Sequence, residues 1–122
     1  MSEQPQVLIV DDDAEQISLI ASMMSNEPFS LITAMTGQRA LEVLRSAKPC
    51  LAVVDLILPD IPGAQLVQEI RADTRLQTTK IIIVTSFAHY VTADARQLAD
   101  RVLLKPLSKD KLIDAMRELL SY

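Results

Sequence analysis

Residues 51–55, Leu51-Ala52-Val53-Val54-Asp55, contain the pattern that decides the fold: four apolar residues in succession, followed at once by a carboxylate. Continuous apolar runs of this length are typical of strands that are buried on both faces, as in a parallel sheet. Three further apolar runs, at residues 7–10, 81–84 and 102–104, are each followed at once by a polar residue. A fifth segment, residues 29–34, is interrupted by Ser30 and Thr33, so we predict an edge strand there.

Segments of helical periodicity lie between and after these runs. Apolar residues recur with a helical period in five places, at residues 17–24, 40–44, 66–70, 92–99 and 112–120. We predict that Asp13 and Ser108 start the first and last helices as N-terminal caps. Strand and helix therefore alternate five times, which indicates right-handed crossovers and a parallel sheet covered on both faces. We predict a flavodoxin-like α/β fold, a (βα)5 three-layer sandwich with the strand order 2-1-3-4-5 that is common in this class.

Length and composition exclude several classes of function. The 122 residues suit one domain, which we expect to occupy residues 1–122. The net charge is −4 and the basic residues are scattered, so direct binding of nucleic acid is not expected. No run of 18 apolar residues is present, so we predict no membrane span. The single cysteine, Cys50, offers neither an internal disulfide nor a multi-cysteine metal site, and it fits a cytoplasmic location.

Polar residues follow the predicted strands where they end: Asp11-Asp12-Asp13, Asp55, Thr85-Ser86 and Lys105-Pro106. A parallel sheet brings these residues to one edge, where ligands bind in such folds. Clustered carboxylates repel one another unless a cation joins them, and hard oxygen ligands favour Mg²⁺ or a similar ion such as Mn²⁺. One carboxylate is then free to attack phosphorus, while a lysine neutralises a phosphoryl oxygen. The pattern therefore favours phosphoryl transfer to an aspartate.

These segments resemble the motifs of response-regulator receiver domains. The matching residues are Val7-Leu8-Ile9-Val10-Asp11-Asp12-Asp13, the turn Asp55-x-x-x-Pro59-x-x-x-Gly63, Thr85-Ser86 and Leu104-Lys105-Pro106, in this order along nearly the whole chain. The resemblance implies that Asp55 is the phosphoacceptor. It also implies a metal site formed by the carboxylates of Asp11, Asp12 and Asp55 and the backbone carbonyl of Ile57.

Two further roles follow from the same resemblance. Thr85 matches the hydroxyl that follows the phosphoryl group on activation, and Lys105 matches the lysine that binds it. The Lys105-Pro106 peptide bond is expected to be cis. The partner implied is a sensor histidine kinase or a phosphotransfer protein. We also consider a homodimer through the fourth helix, fifth strand and fifth helix, with pairing among Asp100, Arg101, Asp114 and Arg117.

The chain departs from the family pattern near the fifth strand. Val102 stands where receivers often carry an aromatic residue, so no ring can swing inward at that position. Tyr90 is a candidate to replace that ring. The two positions that flank the acceptor are apolar, Ile57 and Phe87, from which we predict slow loss of the phosphoryl group.

The sequence allows several interpretations of function. The leading one is a domain that catalyses only its own phosphorylation and dephosphorylation, not an enzyme that acts on a metabolite. A pseudo-receiver, with the same fold used only to bind proteins, is the second. A phosphohydrolase is less favoured because Ile57 stands where such enzymes usually place a second aspartate, and nucleotide binding is disfavoured because the chain has only two glycines. His89 follows the fourth strand and is interpreted as a loop residue, not a phosphodonor.

Overall fold

The computed structural model describes residues 4–122 and contains one five-stranded parallel sheet. Its strands are β1 (Gln6–Val10), β2 (Ser30–Ala34), β3 (Leu51–Asp55), β4 (Lys80–Thr85) and β5 (Arg101–Leu104). They lie in the order β2-β1-β3-β4-β5. The predicted fold class, strand order and edge position of the second strand are confirmed. Because β1 pairs with β2 on one side and β3 on the other, the topological switch lies between β1 and β3.

One α-helix follows each strand: α1 (Ala14–Met23), α2 (Gly37–Leu44), α3 (Gly63–Ala72), α4 (Ala93–Leu98) and α5 (Lys109–Leu120). Short 3₁₀ turns occupy Thr74–Leu76 and Ala88–Tyr90. Both predicted caps are confirmed, since the side chains of Asp13 and Ser108 accept hydrogen bonds from Glu15 N and Lys111 N. Within residues 4–122, none of the helices has the length and apolar character needed to cross a membrane.

The sheet separates two apolar clusters, which explains why its strands are apolar at successive positions. On one face, Leu8 and Val10 pack with residues of α2, α3 and α4. On the other face, Val7 and Ile9 pack with residues of α1 and α5. Successive side chains of a strand point to opposite faces, so a strand covered on both sides must be apolar throughout. The continuous runs in the sequence are thus the signature of a three-layer sandwich.

Arg71 joins three elements at the edge of the sheet where β4 and β5 begin. Its guanidinium donates to the carbonyl oxygens of Leu98 (2.8 Å) and Thr79 (2.7 Å) and to the carboxylate of Asp100 (2.8 Å). The same Asp100 oxygen accepts from Ile81 N at 2.8 Å. The charged groups are only 19% and 26% exposed, so their loss leaves partly buried polar groups without partners.

Two residues named in the dimer hypothesis have partners within the chain. The carboxylate of Asp100 is bound by Arg71. Arg101 also has a partner inside the chain, Glu118, at 2.9 Å. Sequence reasoning missed the pair of Arg71 and Asp100 because the packing of α3 against α4, just before β5 begins, brings these distant residues together.

We predict that Arg71→Met lowers the free energy of unfolding by about 2 kcal/mol, because the carboxylate of Asp100 loses its counter-ion and the carbonyl groups of Leu98 and Thr79 lose a donor. Arg39→Met is the matched control. It removes an ion pair with Glu42 whose side chains are 62% and 56% exposed, and it should cost less than about 0.5 kcal/mol. Urea unfolding measures both variants, and equal losses would contradict the structural role of Arg71.

Gly63 allows α3 to begin directly against the end of β3. A Cβ atom at this position would lie 2.2 Å from the carbonyl oxygen of Asp55 and 2.6 Å from the Cα atom of Leu56. The amide of Gly63 donates to the carbonyl of Leu56 at 2.8 Å. Both obstructing atoms belong to the backbone, so no rotation of a side chain can make room.

We expect Gly63→Ala to destabilise the fold by about 1–3 kcal/mol, as overpacking does in well-packed regions. Gly37→Ala should cost less. There the nearest atoms belong to the side chain of Ile61, which can rotate, and alanine gains up to about 1 kcal/mol of helix propensity. Thermal and urea unfolding of the two variants test the contrast, and a larger loss for Gly37→Ala would contradict it.

Candidate functional site

Three carboxylates meet at the carboxyl ends of β1 and β3. One oxygen from each of Asp11, Asp12 and Asp55 lies within 4.8 Å of the others. Asp11 and Asp55 are only 2% and 7% exposed, whereas Asp12 is exposed to solvent. β1 and β3 are paired with Val10 opposite Val54, so the residues that follow these two are brought side by side. The predicted acidic cluster is therefore present in the structure.

Lys105 joins the two buried carboxylates. Its Nζ atom donates to Asp11 Oδ2 and to Asp55 Oδ2, at 3.0 Å in each case. The lysine follows β5, and its amide donates to the carbonyl of Thr85 at 2.9 Å, which extends the ladder between β4 and β5. The Lys105-Pro106 peptide bond is cis, as expected from the sequence. One ammonium group thus contacts side chains that are 94 and 50 residues away in the sequence.

The second oxygen of each buried carboxylate is bound by the backbone. Asp11 Oδ1 accepts from the amide of Asp13 at 2.9 Å, and Asp55 Oδ1 accepts from the amide of Ile57 at 3.1 Å. Each carboxylate is therefore held at both oxygens, by an amide two residues onward and by Lys105. This double attachment fixes the plane of each group before any ligand arrives.

Burial and charge act in opposite directions on these groups. Burial raises the pKa of Asp11 above its usual value, and the hydrogen bonds from Asp13 and Lys105 offset only part of that increase. For Lys105, burial is the largest single influence and lowers the pKa. The hydrogen bonds and charges of Asp55 and Asp11 together outweigh it, so the pKa of Lys105 lies above its usual value. The ammonium therefore stays protonated at neutral pH.

The residues present fit a small divalent cation. Three carboxylates and one ammonium leave a formal charge of −2 at this edge, which one divalent ion balances. All the side-chain donors are carboxylate oxygens, the ligand type that Mg²⁺ prefers. Ligands of an octahedral Mg²⁺ ion are about 3.0 Å apart when adjacent and about 4.2 Å apart when opposite. The three oxygens already lie within 4.8 Å of one another, so small movements would complete a site. Ile57, whose carbonyl is predicted to contribute, lies in the loop after β3, two residues beyond Asp55.

Thr85 ends β4 and is completely buried. Its neighbour Val84 is paired with Asp55 in the sheet, which places Thr85 at the same edge as the acceptor candidate. The hydroxyl oxygen accepts from the amide of Phe87 at 3.2 Å, so it is bound to the following loop and not to a carboxylate. The structure thus places Thr85 beside the cluster and connects it to the β4–α4 loop.

An exposed aromatic cluster follows Thr85. The rings of Phe87, His89 and Tyr90 pack together, with centroids 4.5–5.8 Å apart. Phe87 and Tyr90 are 46% and 55% exposed. Val102 instead packs against the apolar cluster on the α2, α3 and α4 face of the sheet. The aromatic surface near the site therefore comes from the loop, not from β5.

Sequence reasoning missed Asp60. Its two carboxylate oxygens accept from the amides of Gly37 (2.9 Å) and Gln38 (2.8 Å) at the start of α2. These hydrogen bonds hold the pKa of Asp60 below its usual value, the one from Gln38 most strongly. No local pattern predicts the contact, because the partners lie 22 and 23 residues earlier in the chain.

Comparisons with known proteins agree with this geometry. The family model for the response regulator receiver domain matches residues 7–117. The chain is 33% identical over 125 residues to the transcriptional regulatory protein GlrR of Escherichia coli strain K12, covering 98% of this chain and 27% of GlrR. It is 32% identical over 85 residues to hybrid signal transduction histidine kinase D of Dictyostelium discoideum, covering 70% of this chain and 5% of that kinase. The chain thus spans a small part of both relatives.

Solved structures give the same result. The crystal structure of response regulator TrrA from Thermotoga maritima, in complex with Mg²⁺ and BeF, matches with a TM-score of 0.86 and 28% sequence identity. The match covers 94% of this chain and 98% of that chain. The family model, the match to GlrR and the match to TrrA each extend over nearly the whole of this chain. The chain therefore belongs to the family of response regulator receiver domains, whose general function is phosphorylation-based switching in two-component signalling.

Proposed function

We propose that this domain accepts a phosphoryl group on Asp55 from a phosphohistidine of a sensor histidine kinase or phosphotransfer protein. Mg²⁺ or Mn²⁺ would be held by the carboxylates of Asp11, Asp12 and Asp55 and the backbone carbonyl of Ile57. The observation that carries the proposal is the Nζ atom of Lys105, 3.0 Å from both Asp11 and Asp55. It places a positive charge where the oxygens of a phosphoryl group on Asp55 would lie.

The transfer requires little acid-base chemistry. An oxygen of Asp55 forms a bond to phosphorus while the phosphorus–nitrogen bond of the donor breaks, and the imidazole keeps the electron pair. A bound divalent cation would neutralise the negative charge of the phosphoryl oxygens. Lys105 would neutralise a further oxygen, and its partial burial strengthens that attraction. The domain's own residues thus orient the acceptor and balance charge.

Thr85 and the following loop are the proposed route to a partner. If the Thr85 hydroxyl turns to a phosphoryl oxygen, the amide of Phe87 loses the acceptor that it has at 3.2 Å. That amide belongs to the first residue of the exposed aromatic cluster. Phosphorylation would then change the conformation of the loop that carries Tyr90, in a chain where Val102 replaces the usual ring.

The remaining parts of the proposal concern context. Residues 1–122 form one receiver domain that catalyses only its own phosphorylation and dephosphorylation and does not bind nucleic acid directly. A cytoplasmic location is consistent with the free thiol of Cys50.

A homodimer through the face of α4, β5 and α5 would use exposed groups such as Leu104, which is 52% exposed. Sedimentation of the phosphorylated domain tests it, and a monomer would contradict it.

We predict that wild-type protein binds beryllofluoride, a mimic of the phosphoryl group, in the presence of Mg²⁺, and that Asp55→Asn abolishes this binding. The amide lacks the anionic oxygen that bonds to beryllium. Asp12→Asn should weaken Mg²⁺ binding at least about tenfold, because it removes a ligand. Fluorine NMR and calorimetric titration measure the two effects.

Asp13→Asn is the control for this experiment. Asp13 belongs to the same acidic triplet, but its side chain caps α1 and lies outside the three-carboxylate group. Asparagine caps a helix as well as aspartate, so beryllofluoride binding should persist. Failure of the wild-type protein to bind would instead favour a pseudo-receiver.

We also predict that the phosphorylated domain loses phosphate slowly, over minutes or longer. Ile57 and Phe87 flank the acceptor with apolar side chains, which cannot orient an attacking water molecule. Ile57→Asn should shorten the half-life severalfold, whereas Leu19→Asn, at a similarly exposed apolar position on α1, should not. A phosphate-release assay measures all three proteins, and a wild-type half-life of seconds would contradict the prediction.

A further inference from the structure

We propose that Asp60 is a positioning residue for the metal site: its carboxylate fastens the β3–α3 loop, residues 56–62, to the start of α2 and so keeps the carbonyl of Ile57 beside Asp55. This inference rests on the proposed metal site. It concerns a residue that contacts neither the acidic cluster nor Lys105 and that acts through the backbone of its own loop.

The contact is well suited to hold a loop in place. Asp60 Oδ1 accepts from Gly37 N at 2.9 Å and Oδ2 accepts from Gln38 N at 2.8 Å. The first amides of a helix have no partner within it and carry partial positive charge. Two hydrogen bonds that adjacent amides donate to one carboxylate fix both the distance and the orientation of the group.

The start of α2 is a fixed point in the fold. Ala40 and Leu44 bury the helix against the sheet, at 0% and 4% exposure. The helix also has its own cap, since Thr36 Oγ1 accepts from Arg39 N at 3.0 Å. The contact with Asp60 is thus an addition to a helix that is already packed and capped, and the element that depends on it is the loop.

The loop makes few other hydrogen bonds. Ile57, Pro59, Asp60 and Pro62 are all exposed. At the site end, the amide of Ile57 donates to Asp55 Oδ1 at 3.1 Å, and at the far end the amide of Gly63 donates to the carbonyl of Leu56 at 2.8 Å. Between these ends, Leu58 and Ile61 pack against the apolar cluster, and the carboxylate of Asp60 supplies the hydrogen bonds that join the loop to α2.

A loop that is free to move must be ordered when a cation binds, and that ordering lowers the affinity. We therefore expect Asp60→Ala to weaken Mg²⁺ binding about tenfold, in the range found when groups that orient metal ligands are removed. Asp60→Asn keeps one acceptor oxygen and should have a smaller effect. The probe is Mg²⁺ alone, titrated into the unphosphorylated 122-residue chain and followed by calorimetry.

Two control variants separate positioning from other causes. Thr36→Ala removes a cap from the same helix without touching the loop, so it should lower the melting temperature and leave Mg²⁺ affinity unchanged. Asp13→Asn removes one negative charge near the site, which measures the purely electrostatic effect. Amide hydrogen exchange should rise at Gly37 and Gln38 in Asp60→Ala.

Each outcome has a defined meaning. Weaker Mg²⁺ binding in Asp60→Ala than in both controls supports the inference. Wild-type affinity in Asp60→Ala, or an equal loss in Thr36→Ala or Asp13→Asn, overturns it while the metal site stands. Absence of Mg²⁺ binding by the wild-type protein overturns the metal proposal and this inference with it.

Discussion

Two buried carboxylates that are both ionised repel each other strongly unless positive charge lies between them, and Lys105 supplies that charge. Its ammonium lies 3.0 Å from Asp11 and from Asp55, where attraction is stronger than in water because the groups are partly buried. The lysine satisfies only part of the requirement, since Asp12 adds a third carboxylate to the group. The excess of negative charge is what makes the edge suitable for a divalent cation and then for a phosphoryl group.

The parallel sheet is the reason that these charges meet. β1, β3, β4 and β5 lie side by side in the sheet and run in the same direction. The residues at their carboxyl ends therefore meet at one side of the molecule. Apolar clusters on both faces hold the strands rigidly, which keeps the carboxylates together despite their repulsion. Loops then complete the site: the amide of Ile57 donates a hydrogen bond to the carboxylate of Asp55, and the amide of Phe87 donates one to the hydroxyl of Thr85.

The sequence predicts the sheet and the acidic cluster because both depend on local patterns. An apolar run that ends in Asp11 or Asp55 marks a buried strand and a charged end at once. The contacts of Asp60 and Arg71 could not be predicted in this way, since their partners are 22–23 and 8–29 residues distant and neither residue belongs to a periodic pattern. The partner of Asp100 within the chain could not be predicted for the same reason, because the pair depends on packing between distant segments.

Phosphoryl transfer and the contact with a partner would use different parts of the molecule. The acidic group and Lys105 form the first, and the aromatic cluster that begins at Phe87 is the candidate for the second. The central claim is that Asp55 receives the phosphoryl group, and the most direct test is to find that group. Incubation with Mg²⁺ and a small acyl phosphate, followed by proteolysis and mass spectrometry at once, should place one phosphoryl group on the peptide that contains Asp55. A phosphoryl group on another peptide, or none when Mg²⁺ is present, would contradict the account.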